Sequence, residues 1–105
     1  LRASGELELP SESDLIIGVV PGYSYTAHRI SLEKGESVFI YTDGITEAFN
    51  EEEQEFGEER LEKILRENHQ LLADEIGHKV YSEVVSFRGK REQSDDITML
   101  ILRRP

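Results

Sequence analysis

The chain contains no cysteine, and this absence excludes several kinds of site at once. Disulfides, zinc–thiolate centres, iron–sulfur clusters and thiol nucleophiles all require cysteine. A chain without cysteine is typical of a reducing compartment, so the sequence predicts a cytoplasmic location. Long apolar runs are also lacking. No stretch approaches the roughly 18 consecutive apolar residues of a transmembrane helix, and no membrane contact is expected from this segment.

Basic residues are too few to balance the acidic ones, and the resulting negative charge argues against nucleic acid as a partner. The 105 residues hold 12 Lys and Arg against 22 Asp and Glu, a formal net charge of −10. Such a surplus of carboxylates is better suited to a divalent cation than to a phosphate backbone. The only methionine is Met99 and the first residue is Leu1. We therefore expect a piece of a longer protein, a single partial domain over residues 1–105 with an arm or weak strand over residues 1–14.

Hydrophobic periodicity indicates the secondary structure. It predicts strands over residues 25–32, 37–42 and 97–102, and helices over residues 58–68 and 72–88. The last two strands are apolar on both faces, which is typical of buried central strands. Helices and strands are segregated along the chain, so we predict an α+β fold with a mainly antiparallel sheet and two helices on one face. The opposite apolar face has no predicted cover, and self-association of this segment is expected.

Two acidic motifs lie at the ends of the two apolar strands. Asp43 follows the first strand, and Gly44 then lets the backbone turn away. Asp95 and Asp96 precede the other strand. Each motif alone is also typical of an ordinary solvated turn. If the strands are antiparallel neighbours, however, Asp43 lies beside Asp95, and such carboxylates favour a hard cation such as Mg²⁺ or Mn²⁺.

Four ordered motifs resemble one protein family. They are GESVFIYTDGITEA at 35–48, FGxxRL at 56–61, FRG at 87–89 and QxDDIT at 93–98. Together they resemble the metal-dependent protein phosphatases of the type 2C superfamily. The resemblance is strongest to the bacterial branch of sporulation stage II protein E and the sigma-factor-regulator phosphatases, and it extends over about residues 18–102.

This resemblance implies hydrolysis of phosphoserine or phosphothreonine by a metal-bound water, with two Mn²⁺ or Mg²⁺ ions. By the motif match, Asp43 and Asp95 are metal ligands and catalytic residues. Gly44 and Asp96 have supporting roles. The implied substrate is a phosphoprotein, an anti-sigma-factor antagonist. The implied fold is a sandwich of two antiparallel sheets with helices outside, of which this chain holds about half.

The other half of that sandwich carries the family's remaining metal-binding residues: an aspartate that bridges both ions and an adjacent glycine carbonyl. The motifs present here match only the carboxy-terminal part of the catalytic domain. We therefore expect an incomplete metal site and an inactive isolated fragment.

Two other functions are compatible with parts of the sequence. A haloacid-dehalogenase-type phosphatase also ends a buried strand with an aspartate motif, but Tyr41 and Ile45 stand where that motif needs Asp and Thr. A non-catalytic interaction module that docks a partner through its acidic helix is the alternative from another class. An aspartate–glycine motif about a hundred residues upstream would favour the phosphatase.

The remaining polar residues point to no separate chemistry. The histidines have no ligand spacing: His28, His69 and His78. Ser37 and Thr42 have no neighbouring base in the sequence, so nucleophilic catalysis is unsupported. The acidic stretch over residues 51–59 lacks the EF-hand pattern and is predicted to be a solvated loop.

Basic and aromatic residues border that acidic loop. Phe56 and Gly57 are predicted to anchor the loop and to begin the following helix, with Arg60 paired to its acids. A small basic patch is predicted to be a solvated turn. Its members are Arg88, Lys90 and Arg91.

Overall fold

Two strands and three helices make up the part of the chain that the computed structural model describes, residues 1–8, 21–22, 31–93 and 95–105. In chain order they are β1 (Ser37–Tyr41), α1 (Asp43–Thr46), α2 (Gly57–Glu67), α3 (Ala73–Arg88) and β2 (Met99–Arg103). The predicted α+β architecture is confirmed. Nearly all of the strand predicted over residues 25–32 lies outside the described residues, as does the second half of the predicted arm.

The two strands pair in antiparallel fashion, as predicted for the apolar runs. The register extends from Ser37 opposite Arg103 to Tyr41 opposite Met99. β2 begins two residues later than predicted. One cause is visible next to it, where the Thr98 N–H is bonded to the Thr42 hydroxyl rather than to a strand carbonyl.

One face of this sheet packs against the helices. Four of its side chains contact the core: Phe39, Tyr41, Met99 and Ile101. The helices supply most of that core, including Ile76, Val80 and Val84, each at most 1% exposed. Burial of such a side chain stabilises the fold by roughly 1.5–3 kcal/mol.

The other face of the sheet is open. Ile40 is 55% exposed, Leu100 63% and Leu102 62%. These residues are therefore not buried as in a typical central strand, and their exposure agrees with the expectation that one apolar face lacks a cover in this segment. Each helix has a single apolar stripe, so the helices cover only one side of the sheet.

Local sequence explains the bounds of the longer helices. α2 begins with Glu58 and Glu59 in its first turn and ends with Arg66 in its last, which suits the helix dipole. α3 begins where the Glu75 side chain accepts a hydrogen bond from the Leu72 N–H, at 3.0 Å. It ends at Gly89, whose φ of 62° is costly for other residues, so the predicted helix end is confirmed.

Residues 1–8 lie along the start of β1. The Ser37 N–H donates to the Leu1 carbonyl at 2.9 Å, and Leu7 packs against the core. Arg2 bonds both Glu8 and the buried Glu36. Among the described residues, no helix is both long enough and apolar enough to span a bilayer.

Candidate metal centre

The carboxyl end of β1 and the amino end of β2 are joined by three hydrogen bonds. The Thr42 N–H donates to the Thr98 carbonyl at 3.1 Å. The Thr42 hydroxyl accepts from the Thr98 N–H and donates to the Asp96 carbonyl, each at 3.1 Å. The segments that carry Asp43 and the Asp95–Asp96 pair therefore meet at the same end of the sheet, as the antiparallel arrangement predicts.

Gly44 makes a very close backbone contact at this junction. A Cβ at this position would overlap the Asp96 carbonyl oxygen and would lie 2.8 Å from its carbon. Only hydrogen fits there, which explains why this position needs glycine. The sequence motif indicated a glycine needed for turning, whereas the structure shows one needed for close approach.

Asp43 begins a one-turn helix rather than a simple Asp-Gly turn. α1 follows directly from Thr42, and the Asp43 carbonyl accepts the Glu47 N–H at 2.8 Å. Ile45 is completely buried and fixes this turn to the core. The Asp43 side chain remains exposed. The backbone of this residue is thus held firmly while its carboxylate stays accessible.

The acidic pair is shaped by its own short hydrogen bonds. The Asp96 N–H donates to the Asp95 Oδ1 at 2.8 Å, and the Gln93 side chain donates to the Asp95 carbonyl at 2.7 Å. Both aspartates are exposed. Within the described ranges, no three His, Cys, Asp or Glu side chains are grouped so as to hold a metal ion. The described residues alone thus form no complete ligand set.

Negative charge accumulates around this end of the sheet. Burial raises the pKa of the Tyr41 hydroxyl above its usual value. The carboxylates of Glu58, Glu62 and Asp43 raise this pKa further. Acidic side chains from α1 and α2 thus lie near the Tyr41 hydroxyl at this end of the sheet.

A cluster that the sequence analysis missed supports the segment after α1. Arg60 donates to the carbonyls of Glu55 and Phe56, each at 2.8 Å, and its guanidinium lies 4.6 Å from the Phe87 ring centre. The Phe56 and Phe87 rings meet edge to face at 5.3 Å. The expected pairing of Arg60 with the acidic side chains of the loop is wrong, because its Nη1 donates to two carbonyls and its guanidinium stacks on the Phe87 ring. The signal was present in the FGxxRL and FRG motifs, whose aromatic residues and arginine meet here.

The acidic loop and the turn after α3 also contact each other. Asn50 organises the loop, because its Oδ1 accepts hydrogen bonds from the backbone N–H groups of Glu52 and Gln54 at 3.0 and 2.9 Å. Glu51 accepts the Lys90 N–H at 3.2 Å. The residues between Glu51 and Glu55 are exposed, as predicted for a solvated loop.

The predicted basic patch is partly engaged in this contact. The Arg91 guanidinium lies 5.3 Å from the Phe49 ring centre and donates to the Asn50 carbonyl at 3.4 Å. Arg91 is therefore part of the packing between the loop and the turn, while Lys90 remains exposed.

Comparison with known proteins shows the same family over the whole chain. Residues 1–105 match the model of the stage II sporulation protein E (SpoIIE) family. Protein IcfG of Synechocystis sp. is 31% identical over 88 residues, covering 84% of this chain and 14% of that protein. Phosphoserine phosphatase RsbU of Bacillus subtilis is 30% identical over 91 residues, covering 86% of this chain and 26% of that protein.

A solved structure shows the same fold. The SiaA-PP2C domain of Pseudomonas aeruginosa superposes with a TM-score of 0.64 at 27% identity, covering 72% of this chain and 31% of that one. The chain thus spans less than a third of each of these three proteins. The family resemblance predicted from the four motifs is confirmed, as is the partial type 2C fold.

Proposed function

The chain belongs to the stage II sporulation protein E (SpoIIE) family and is part of a PP2C-type phosphatase; from this premise we propose that its parent protein hydrolyses phosphoserine or phosphothreonine on a regulatory protein. One observation carries the proposal most strongly. The acid-bearing ends of β1 and β2 are joined through Thr42, and Gly44 packs on the Asp96 peptide.

The carboxylates at this junction suit a hard divalent cation. Asp43 and Asp95 would hold Mn²⁺ or Mg²⁺ through oxygen, the donor these ions prefer. Asp96 would support Asp95 through the hydrogen bond between its N–H and the Asp95 carboxylate. Such ions, when bound, activate water and neutralise charge on a phosphoryl group. No protein nucleophile is then needed, consistent with the absence of cysteine.

The proposed activity belongs to the parent protein rather than to these residues alone. The described residues present no group of three metal-ligating side chains. The remaining ligands would come from other parts of the parent, since this chain spans only 26% of its phosphatase relative RsbU. We therefore expect little or no turnover from the 105-residue chain supplied with Mn²⁺.

Partner and location follow from the same resemblance. The proposed substrate is a phosphoprotein, an anti-sigma-factor antagonist, acting in the cytoplasm.

The open sheet face would promote self-association of the isolated chain, because Ile40, Leu100 and Leu102 together expose an apolar patch. Light scattering at micromolar concentration should show a species larger than 12.0 kDa. A stable monomer would contradict this part of the proposal.

The direct test is phosphatase activity of the parent protein on a phosphoserine protein with Mn²⁺. Asp43→Asn and Asp95→Asn should each abolish turnover, because each removes a charged oxygen ligand. Glu52→Gln is the matched control, since it neutralises an exposed acid in the loop rather than at the strand ends. Equal activity in all three variants would overturn the assignment.

The same assay tests the non-catalytic alternative. The lack of a complete ligand set among the described residues is the observation that favours an interaction module. Such a module would give no turnover in the parent protein with any divalent ion. It would still bind its partner after Asp43→Asn.

A further inference from the structure

We infer that the Thr42 hydroxyl is a positioning group that sets the relative placement of the two acid-bearing segments. The inference rests on the proposed metal site and adds a residue to which the family resemblance assigned no role. Thr42 itself would touch neither ion nor substrate. It would act through the backbone on either side of it.

The Thr42 hydroxyl is directed away from the helix that it precedes. Thr42 precedes α1 in an extended conformation, with φ −96° and ψ 163°, the usual geometry of a helix N-cap. A threonine there normally bonds an N–H of its own helix. No such bond is formed. The hydroxyl is instead directed across to the β2 side, to the Asp96 carbonyl and the Thr98 N–H.

The Thr42 hydroxyl both donates and accepts a hydrogen bond. It donates to the Asp96 carbonyl and accepts from the Thr98 N–H in the segment before β2, each at 3.1 Å. Asp96 and Thr98 are therefore fixed relative to Thr42 by one atom. A side chain that only donates or only accepts would satisfy one of these groups and leave the other without its protein partner.

Thr42 is also directly connected to the acidic residues of both segments. Thr42 immediately precedes Asp43, and its acceptor belongs to Asp96, whose N–H in turn holds the Asp95 carboxylate at 2.8 Å. Gly44 closes the junction by packing on the same Asp96 peptide. A short chain of contacts thus links both proposed ligands through Thr42. Loss of the hydroxyl would loosen their relative placement without removing a ligand.

The test compares Thr42→Val with Thr42→Ser in the parent protein, where the proposed ligand set is complete. Valine keeps the branched shape and removes the hydroxyl, whereas serine keeps the hydroxyl. Thr98→Val is the matched control in the segment before β2, because the Thr98 contacts to Thr42 are made by its backbone. The readouts are Mn²⁺ affinity, from the electron paramagnetic resonance signal of the free ion, and the exchange rate of the Thr98 amide with water.

Thr42→Val should weaken Mn²⁺ binding roughly tenfold, the low end for partners that orient metal ligands. It should speed Thr98 amide exchange roughly fivefold, the equivalent of one lost hydrogen bond. Thr42→Ser and Thr98→Val should behave as the wild type does in both measurements. A role confined to general stability would lower the melting temperature without changing Mn²⁺ affinity.

The outcomes separate this inference from the proposed function. Unchanged Thr98 exchange in Thr42→Val overturns the inference, whatever the metal result. Unchanged Mn²⁺ affinity in that variant, with a wild type that does bind, also overturns it. A wild-type parent protein that binds no Mn²⁺ contradicts the proposed metal site, and the exchange rates then decide alone whether Thr42 orders the junction.

Discussion

Carboxylates at the two ends of the β1–β2 strand pair, or ladder, have opposite surroundings. At the end near Ser37, the Glu36 side chain is buried, pairs with Arg2 at 2.8 Å and accepts the Glu33 N–H at 2.8 Å. At the other end, Asp43 and the Asp95–Asp96 pair are exposed. Among the described residues, no basic side chain lies within salt-bridge distance of those three acids.

This difference separates a structural carboxylate from candidate functional ones. Glu36 is neutralised by groups of the protein, so its charge serves the fold. At the opposite end the hydrogen bonds hold the backbone of the acidic residues and leave most carboxylate oxygens accessible. This contrast supports the proposal that the acidic end binds a cation.

The largest effect is expected from a methyl group at the acidic end. Gly44→Ala would force its Cβ into the Asp96 peptide and should destabilise the fold by about 3 kcal/mol. Urea unfolding measures this. Gly77→Ala is the matched control, because its Cβ would meet only the flexible end of Ile101 at 3.3 Å and a helix gains from alanine. Equal losses in both variants would show that the junction is not tightly packed.

A smaller effect is expected from the cluster that supports the segment after α1. Arg60→Gln removes the stacking on Phe87 and the two bonds to the carbonyls of Glu55 and Phe56. We expect a loss of about 1–2 kcal/mol in the free energy of unfolding. Lys63→Gln, on the same helix and with a side chain 74% exposed, should change it by less than about 0.5 kcal/mol. If Lys63→Gln lowers the free energy of unfolding as much as Arg60→Gln does, the contacts of Arg60 have no special role in stability.

The stability that Glu36 contributes at the neutralised end should depend on pH. The Glu33 N–H lowers the pKa of the Glu36 carboxyl from its ordinary value of 4.5, and Arg2 lowers it further against the effect of burial. A lowered pKa in the folded state contributes stability that is present above pH 4.5 and is lost as pH falls through the folded value. The difference in stability between wild type and Glu36→Gln should therefore be larger at pH 7 than at acidic pH. A difference that does not change with pH would contradict this account of Glu36.

The smallest effect on stability is expected from Asp43→Asn. The Asp43 side chain is exposed, and the backbone bonds that hold this residue are unaffected by the change. The free energy of unfolding should change by less than about 0.5 kcal/mol. Thermal and urea unfolding measure this. A large loss would indicate that Asp43 serves the fold, as Glu36 does, and would remove the contrast between the two ends.

The sequence predicted the features that depend on periodicity and on chain order. Apolar stripes placed α2 and α3 correctly to within a residue or two, and the two apolar runs do pair. Because the runs are antiparallel neighbours, their terminal aspartates lie at the same end. That Asp43 and Asp95 are metal ligands remains a prediction, carried by the motif match.

Other features were beyond a reading of the sequence, for physical reasons. α1 has four residues and shows no period. The cross-strand bonds of Thr42 depend on a register that only folding defines. Arg60 carries a charge that suggests acidic partners, but its geometry favours carbonyls and a ring. An apolar run such as β2 does not tell which of its faces the helices will cover.

The most direct test of the account is to map Mn²⁺ onto the ladder by paramagnetic line broadening in the amide spectrum of the chain. Substoichiometric Mn²⁺ should broaden the signals of Asp43, Gly44, Asp95 and Asp96 first. Glu36, at the opposite end of the ladder, should be affected last. Asp43→Asn should abolish this pattern. Broadening centred on the exposed acids of residues 51–55, or equal at both ends of the ladder, would contradict the claim that the acidic end is the metal-binding end.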